Sequence, residues 1–155
     1  MTDIEYMQMA LDLANLAANN NEVPVGAIVV KDGFIIGRGC NASIGLNDPT
    51  AHAEMIAMRQ AAQYLGNYRL VDCQLYVTLE PCTMCSGAMQ HARIAKLIYG
   101  ASDAKTGACG SVINVMNEPK LNHHCEVLAG VLADDCGAVL SAFFKHRRLI
   151  NKTSL

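Results

Sequence analysis

Residues 81–85 of the chain read Pro-Cys-Thr-Met-Cys, and a second short stretch, residues 52–54, reads His-Ala-Glu. Two cysteines three positions apart lie on the same face of a helix, so the sulfur atoms of Cys82 and Cys85 can reach one metal ion. The proline just before them favours the first turn of that helix, where partial positive charge stabilises a thiolate. The motif therefore predicts a metal site at a helix N-terminus.

The His-Ala-Glu stretch supplies a third metal ligand and a carboxylate. His52 adds a third ligand, and two sulfurs with one imidazole leave the fourth tetrahedral position of zinc for water, as in catalytic zinc sites. Glu54 is a carboxylate that could take a proton from such a water and return it. A redox-active or simply buried cysteine pair is the alternative for Cys82 and Cys85 alone. The four residues together favour one catalytic zinc ion per chain.

Length and composition set limits on the rest of the molecule. The chain has 155 residues, of which 52% are hydrophobic and 17% are charged, and its formal net charge is −2. This length predicts a single domain over residues 1–155, which would carry the zinc site and have a core that needs no disulfide bonds. The cysteines outside the motif are expected to be small buried side chains, at Cys40, Cys73, Cys109, Cys125 and Cys136. The net charge does not favour nucleic-acid binding, so any RNA contact would come from a local patch.

The sequence shows no export or membrane segment. No stretch approaches the ~20 consecutive apolar residues that span a bilayer. Residues 1–5, Met-Thr-Asp-Ile-Glu, lack the basic and then apolar layout of a signal peptide. We therefore expect a cytoplasmic protein without a membrane partner.

Alternating short apolar runs and amphipathic stretches predict one α/β domain. Thr2 and Glu5 form a capping box for an opening helix, and Asp32-Gly33 is a hairpin turn. A strand, the cysteine helix and another strand follow closely, which predicts a βαβ unit with parallel strands. The predicted strands cover residues 25–30, a run beginning at 34–36, 75–79, 96–99 and 126–128. The predicted helices run from Thr2 to Asn19–Asn21, from Asp48–Thr50 through His52 and Glu54, from Pro81 to about Arg93, and from Leu132 through Phe144.

The opening helix carries apolar residues on more than one face. One face has Ile4, Met7, Leu11, Ala14 and Ala18, and much of the remainder has Tyr6, Met9, Leu13 and Leu16. The second apolar face could meet the same core or a partner subunit, and the pattern leaves both open. Together with the apolar composition, it suggests a homodimer.

The closing helix ends in a basic cluster that follows two aromatic residues. Residues 143–144 are Phe-Phe, and residues 145–148 read Lys-His-Arg-Arg. Cations at a helix C-terminus complement its dipole, and Phe144 could be a core residue. An aromatic side chain beside arginines is also how unstacked RNA bases are held. The pattern alone leaves these interpretations open.

Taken together, these stretches resemble the bacterial tRNA-specific adenosine deaminases over nearly the whole chain. The zinc motif is shared by the cytidine-deaminase-like superfamily. Residues 103–107, Asp-Ala-Lys-Thr-Gly, and the Phe-Phe and Arg-Arg pairs of the tail resemble the tRNA enzymes in particular. The other matching stretches are residues 22–27, 48–54, 67–70 and 75–85.

The resemblance implies a three-layer α/β/α cytidine-deaminase-like fold, with a central mixed sheet of about five strands and helices on both faces. It implies that a homodimer converts the wobble adenosine of a tRNA anticodon stem-loop to inosine by hydrolysis. His52, Cys82 and Cys85 would hold one zinc ion per chain, and Glu54 would shuttle the proton.

The resemblance also implies which residues contact the substrate. Local sequence favours a turn at Asn41, but this residue matches the family's base-contacting position. Asp103 lies in a loop that would touch the nucleotide backbone or sugars. Phe144, Arg147 and Arg148 would hold flanking anticodon bases and phosphates.

Two other classes of protein share part of the pattern. A free-base or nucleoside deaminase of guanine or cytosine type would have every zinc residue but no use for the aromatic and basic tail. A non-catalytic zinc module would need no Glu54 and would favour four protein ligands. Activity on a small molecule with none on RNA would select the first of these.

Overall fold

Helices and strands alternate along most of the chain, and the computed structural model describes residues 1–153. The helices are α1 (Asp3–Asn19), α2 (Ala53–Leu65), α3 (Thr83–Ala92) and α4 (Ala133–Thr153). The strands are β1 (Gly26–Lys31), β2 (Phe34–Cys40), β3 (Gln74–Leu79), β4 (Lys96–Ala101) and β5 (Glu126–Ala129). The predicted capping box of Thr2 and Glu5 opens α1 and is confirmed. Within residues 1–153, no helix is long and apolar enough to cross a membrane.

The five strands form one mixed sheet in the order β2-β1-β3-β4-β5. β1 runs antiparallel to β2 and β3, whereas β3, β4 and β5 run parallel to one another. The β1–β2 hairpin turns at Asp32 and Gly33, whose positive φ angles of 51° and 79° suit a two-residue turn. Because α3 connects the parallel strands β3 and β4, the predicted βαβ unit is confirmed.

Alternate residues of the central strands pack into two separate cores. In β1, Val29 belongs to the core that α2 and α3 cover, whereas Ile28 and Val30 belong to the core beneath α1 and the start of α4. The alternation follows from the two-residue repeat of a strand. Helices therefore cover both faces of the sheet, and the three-layer α/β/α prediction is confirmed.

The helix that carries Glu54 begins later than the sequence predicts. The Oδ1 atom of Asp48 accepts hydrogen bonds from the backbone N–H and the hydroxyl of Thr50, at 2.8 and 2.7 Å. This local bonding forms a tight turn in competition with a helix. α2 begins at Ala53, and His52 is its N-cap residue, so the predicted start at Asp48–Thr50 was wrong.

A glycine lets the first turn of α2 lie directly on the sheet. A Cβ atom at Gly39 of β2 would stand 2.4 Å from the carbonyl oxygen of Ala53, a distance that no side chain allows. Glycine is the residue that permits such a close approach. The end of β2 therefore fixes the backbone around His52 and Glu54.

Candidate active site

The N-termini of α2 and α3 bring three potential metal ligands together. His52 and Cys82 are the N-cap residues of these helices, and Cys85 lies in the first turn of α3. The Nδ1 atom of His52 lies 3.6 Å from the sulfur atom of each cysteine. Zinc bonds of about 2.3 Å to sulfur and about 2.0 Å to nitrogen, at tetrahedral angles, separate such atoms by about 3.5 Å. The donor atoms and their spacing therefore fit one zinc ion, as the sequence predicted.

The position of these residues at helix termini leaves their side chains available to a metal. N-cap side chains commonly accept a hydrogen bond from their own helix. Neither His52 nor Cys82 makes such a bond. Pro81 lies just before the N-cap of α3 and two residues before its first helical residue, Thr83, so the predicted helix start at Pro81 was wrong.

Hydrogen bonds within the group favour a charged sulfur atom. The hydrogen bond from Cys85, assisted by His52, lowers the pKa of Cys82 to about 4 despite partial burial. The same hydrogen bond and burial raise the pKa of Cys85, because this thiol keeps the shared proton. The hydrogen bond to Cys82 also raises the pKa of His52. A thiolate among close donor atoms is the form of cysteine that binds a divalent cation.

Glu54 lies beside the metal group without belonging to it. It occupies the first turn of α2, and only 4% of its surface is exposed. Burial raises the pKa of its carboxyl group, although hydrogen bonding and the nearby His52 act in the opposite direction. Within residues 1–153, the group able to hold a metal consists of His52, Cys82 and Cys85. A buried carboxyl group in this position can accept and return a proton.

His52, Cys82 and Glu54 line a cavity of about 280 Å³, and the third potential ligand, Cys85, is buried behind its wall. Its walls also include residues from the segments that follow α1, β2 and β4, among them Glu22, Asn41, Ile44 and Asp103. The cavity therefore brings two of the predicted substrate contacts, Asn41 and Asp103, together with two of the predicted zinc ligands, His52 and Cys82.

Asn41 lies in the cavity wall and not in the turn that local sequence favoured. It directly follows β2 and lines the cavity, whereas the turn begins at Ser43. Its Oδ1 atom accepts a hydrogen bond from the backbone N–H of Ala53 at 2.8 Å. Asn41 thus replaces the missing N-cap bond of α2 from a distant part of the chain.

The carboxylate of Asp103 organises the loop that follows β4. It accepts hydrogen bonds from the backbone N–H groups of Lys105 and Thr106, both at 3.1 Å, and from the hydroxyl of Thr106 at 2.7 Å. These bonds lower the pKa of the Asp103 carboxyl group, against the effect of its partial burial. The loop therefore presents an ionised carboxylate in a fixed position on the cavity wall.

Glu80 is a further buried carboxylate of the cavity wall, and its role was not predicted from the sequence. Only 2% of its surface is exposed. Its carboxylate accepts hydrogen bonds from the backbone N–H groups of Asp103, Cys109 and Ser111 and from the Ser111 hydroxyl. Burial acts to raise the pKa of Glu80, but these hydrogen bonds outweigh it and lower the pKa. An acidic residue at the end of a buried strand was the signal that could have drawn attention to it.

A groove of about 490 Å³ continues the cavity toward α4. It shares with the cavity Val23, Leu79, Asp103 and Thr106. Phe144 lines the groove beside Lys105, and 39% of its surface is exposed. This exposure excludes the interpretation of Phe144 as a fully buried core residue.

The two arginines of the tail have different surroundings. The guanidinium group of Arg147 lies 4.6 Å from the centre of the Phe143 ring, and its Nη2 atom donates to the carbonyl oxygen of Asn21 at 3.1 Å. Arg148 is exposed. Neither arginine lines the cavity or the groove. The structure therefore brings Phe144 to the site and leaves Arg147 and Arg148 at its periphery.

Comparison with known proteins agrees with this chemistry. Residues 1–101 match the family described as the cytidine and deoxycytidylate deaminase zinc-binding region. The matched span contains Glu54 and all three members of the metal group. The three-layer fold and the site together define a zinc-dependent deaminase, a hydrolase with one zinc ion per chain.

Similarity over the full length narrows this class to a family. The tRNA-specific adenosine deaminase of Haemophilus influenzae is 54% identical over 147 residues, which cover 94% of this chain and 85% of that protein. A solved structure of a tRNA:A34 deaminase has a TM-score of 0.85 at 43% identity and covers 88% of this chain and 99% of that one. The chain belongs to the family of tRNA-specific adenosine deaminases. The guanine deaminase of Bacillus subtilis is a more distant relative, with a TM-score of 0.65 at 34% identity over 96% of this chain and 95% of that one.

Proposed function

We propose that the protein hydrolyses adenosine to inosine at the wobble position of a tRNA anticodon. The observation that carries this proposal is a His-Cys-Cys group with zinc spacing beside the buried carboxyl of Glu54, with His52, Cys82 and Glu54 lining one cavity. The similar structure of a tRNA:A34 deaminase, studied for A-to-I editing at the wobble position, supports the choice of substrate. The groove beside the cavity offers room for the nucleotides on either side of the target base.

In the proposed mechanism, His52, Cys82 and Cys85 would hold a zinc ion, which when bound would supply Lewis-acid activation of the attacking water. Glu54 accepts the proton that the water loses, and its burial keeps that proton from exchanging with bulk solvent. Glu54 then delivers a proton to the adenine ring nitrogen and assists the departure of the C6 amino group. Water and adenosine are consumed, and inosine and ammonia are formed.

An anticodon base can enter the cavity more easily than a base of a duplex. Anticodon bases are already unpaired in a loop, so moving one base into the cavity costs less than extracting it from a duplex. We assign the contact with that base to the amide NH₂ of Asn41, because the Oδ1 atom is engaged with Ala53. Asp103, whose carboxylate is fixed by its loop, is assigned to the sugar and backbone of the nucleotide.

The tail of α4 is proposed to hold the flanking nucleotides. Phe144 offers an exposed aromatic face on the groove for stacking of an unpaired base. Arg148 is exposed and supplies a cation for phosphate. Arg147 adds positive charge beside it, although its guanidinium group is also hydrogen-bonded to the backbone of Asn21.

We further propose that the active species is a cytoplasmic homodimer. Large apolar side chains are exposed on α1, at and after the end of α2, and in the segment before β5, namely Ile4, Leu16, Tyr64, Tyr68, Val71, Val112, Ile113 and Leu121. Exposed apolar surface of this kind is typical of subunit interfaces. Light scattering at micromolar protein that detects only a 16.6 kDa species would contradict the dimer.

The proposed activity can be tested by incubating the zinc-loaded protein with tRNA transcripts that carry adenosine at the first anticodon position. Sequencing should then read inosine at that position and unchanged adenosine elsewhere. Parallel incubations with guanine and with cytosine address the free-base alternative. Deamination of either base with no inosine in the RNA would replace the proposed function by that alternative.

A further inference from the structure

Glu22 is a buried carboxylate that the proposed mechanism does not use. It lies between α1 and β1, lines the cavity, and has only 5% of its surface exposed. Its Oε1 atom accepts a hydrogen bond from the backbone N–H of Ile44 at 3.0 Å, and its Oε2 atom accepts one from Gly45 at 2.7 Å. Burial of a carboxylate is unfavourable unless such bonds compensate it, so this arrangement fixes both partners.

The two partners belong to the segment between β2 and α2, residues 41–52, which we term the β2–α2 loop. The loop begins at Asn41, whose side chain binds the first turn of α2, and ends at the metal-group residue His52. Ile44 lies in its first half, lines the cavity, and is 61% exposed. The two backbone groups that Glu22 binds thus belong to the part of the loop that forms the cavity wall.

The segment that carries Glu22 is itself fixed on both sides. The backbone N–H of Glu22 donates to the carbonyl oxygen of Ala17 at 2.9 Å, which ties it to the last turns of α1. The carbonyl oxygen of the preceding Asn21 accepts the hydrogen bond from Arg147 of α4 at 3.1 Å. A carboxylate with such an anchored backbone can hold a loop in one position.

We propose that Glu22 is a positioning residue for the deamination reaction. By accepting the N–H groups of Ile44 and Gly45, it holds the β2–α2 loop as one wall of the cavity and places Ile44 against the substrate nucleotide. The nature of that nucleotide rests on the proposed function above, whereas the ordering of the loop does not. Glu22 acts through the loop and does not touch the reacting atoms.

The test compares the zinc-loaded protein with its Glu22→Gln variant. The amide keeps the shape of the side chain but replaces one acceptor oxygen by an NH₂ group, which cannot accept a backbone N–H. Exchange of the Ile44 and Gly45 amide protons with solvent should become at least about tenfold faster. The kcat/KM for the tRNA transcript should fall about ten- to a hundredfold, because a small displacement of a positioning group has effects of this size. Zinc content should not change.

Two further variants complete the experiment. Glu22→Asp keeps both acceptor oxygens but shortens the side chain. Its amide exchange rates and its kcat/KM should therefore lie between those of the original protein and those of Glu22→Gln. It replaces Glu22→Gln in the experiment if that variant fails to fold. Glu126→Gln is the matched control, because Glu126 is exposed and begins β5, at the end of the parallel strands opposite Cys82. It should leave amide exchange in the loop and kcat/KM unchanged.

The proposal is overturned if zinc-loaded, folded Glu22→Gln has the original kcat/KM, even when its melting temperature is lower, because Glu22 would then only stabilise the fold. Unchanged amide exchange at Ile44 and Gly45 would also overturn it. Failure of the original protein to form inosine would refute the proposed function instead. The exchange measurement would still show whether Glu22 holds the loop.

Discussion

The Oδ1 atom of Asn41 accepts a hydrogen bond from the backbone N–H of Ala53 at 2.8 Å. A residue at the end of β2 therefore caps the helix whose first turn carries Glu54 and whose N-cap is the metal-group residue His52. Because the same side chain lines the cavity, one amide both caps the helix that follows His52 and forms part of the cavity wall.

The hydrogen bond between Asn41 and Ala53 predicts that substitutions of Asn41 change stability and activity separately. Asn41→Ala should lower the free energy of unfolding by about 1 kcal/mol, the usual loss for a helix cap, and should also lower activity on tRNA. Asn41→Asp keeps the acceptor oxygen but lacks the amide NH₂, so it should recover most of the stability without the activity. Denaturant unfolding and initial rates on the same samples check both. Full activity of Asn41→Asp would show that the amide does not contact the base.

The metal group predicts that zinc is lost when a ligand is removed. Cys85→Ala should bind less than one equivalent of zinc per chain, because two protein ligands remain where three fit the ion. Elemental analysis after gel filtration gives the ratio. Cys136→Ala, at a buried cysteine in the other core, is the matched control and should keep its zinc. Full zinc occupancy in Cys85→Ala would contradict the assignment of the ligands.

The parts of this site that the sequence predicted are those encoded by short spacings. The interval between Cys82 and Cys85 is one helical turn, and the strands around them read as a βαβ unit, so the metal group and the parallel strands could be predicted. Side-chain bonds between distant segments could not. Asn41 binds a residue 12 positions away, and Arg147 binds one 126 positions away. No local pattern specifies such pairs.

The buried carboxylates Glu22 and Glu80 illustrate the same limit. Each holds the backbone of a loop at least 22 residues further along the chain. The sequence does not indicate which backbone N–H groups a distant carboxylate will bind. The late start of α2 has a related cause. Asp48 reads as a helix cap, but its side chain bonds to Thr50 in a turn, while the distant Asn41 caps the helix.

Phe144 is predicted to contribute to binding of RNA and little to stability. Stacking of a base on an aromatic ring contributes about 1–3 kcal/mol, so Phe144→Ala should weaken tRNA affinity roughly five- to 150-fold. Because the ring is 39% exposed, its loss should cost less than the ~3–5 kcal/mol of a buried phenylalanine. Filter binding and thermal melting on one preparation separate the two quantities.

Phe34→Ala is the matched control for that experiment, because Phe34 is an exposed aromatic residue at the start of β2, beside the hairpin turn. Its truncation should leave tRNA affinity unchanged. A large loss of stability in Phe144→Ala, with unchanged affinity of the protein that remains folded, would mean that Phe144 is a packing residue.

Arg148 is predicted to contact phosphate. Arg148→Ala should weaken tRNA binding and reduce the slope of log affinity against log salt concentration by about one unit, as one fewer counterion is released. Affinities measured over a series of salt concentrations give the slope, and the melting temperature should stay unchanged because the side chain is exposed. A slope equal to that of the original protein would remove Arg148 from the RNA interface.

The most direct test of the central claim is the rate of inosine formation in a tRNA transcript by Glu54→Ala, measured beside the original protein at equal zinc content. Glu54 lies outside the metal group, so the variant should retain one zinc ion per chain. Its rate should fall at least ~100-fold, within the range of general acid–base catalysis. A zinc-loaded variant that forms inosine at nearly the original rate would show that Glu54 does not transfer the proton and would contradict this account.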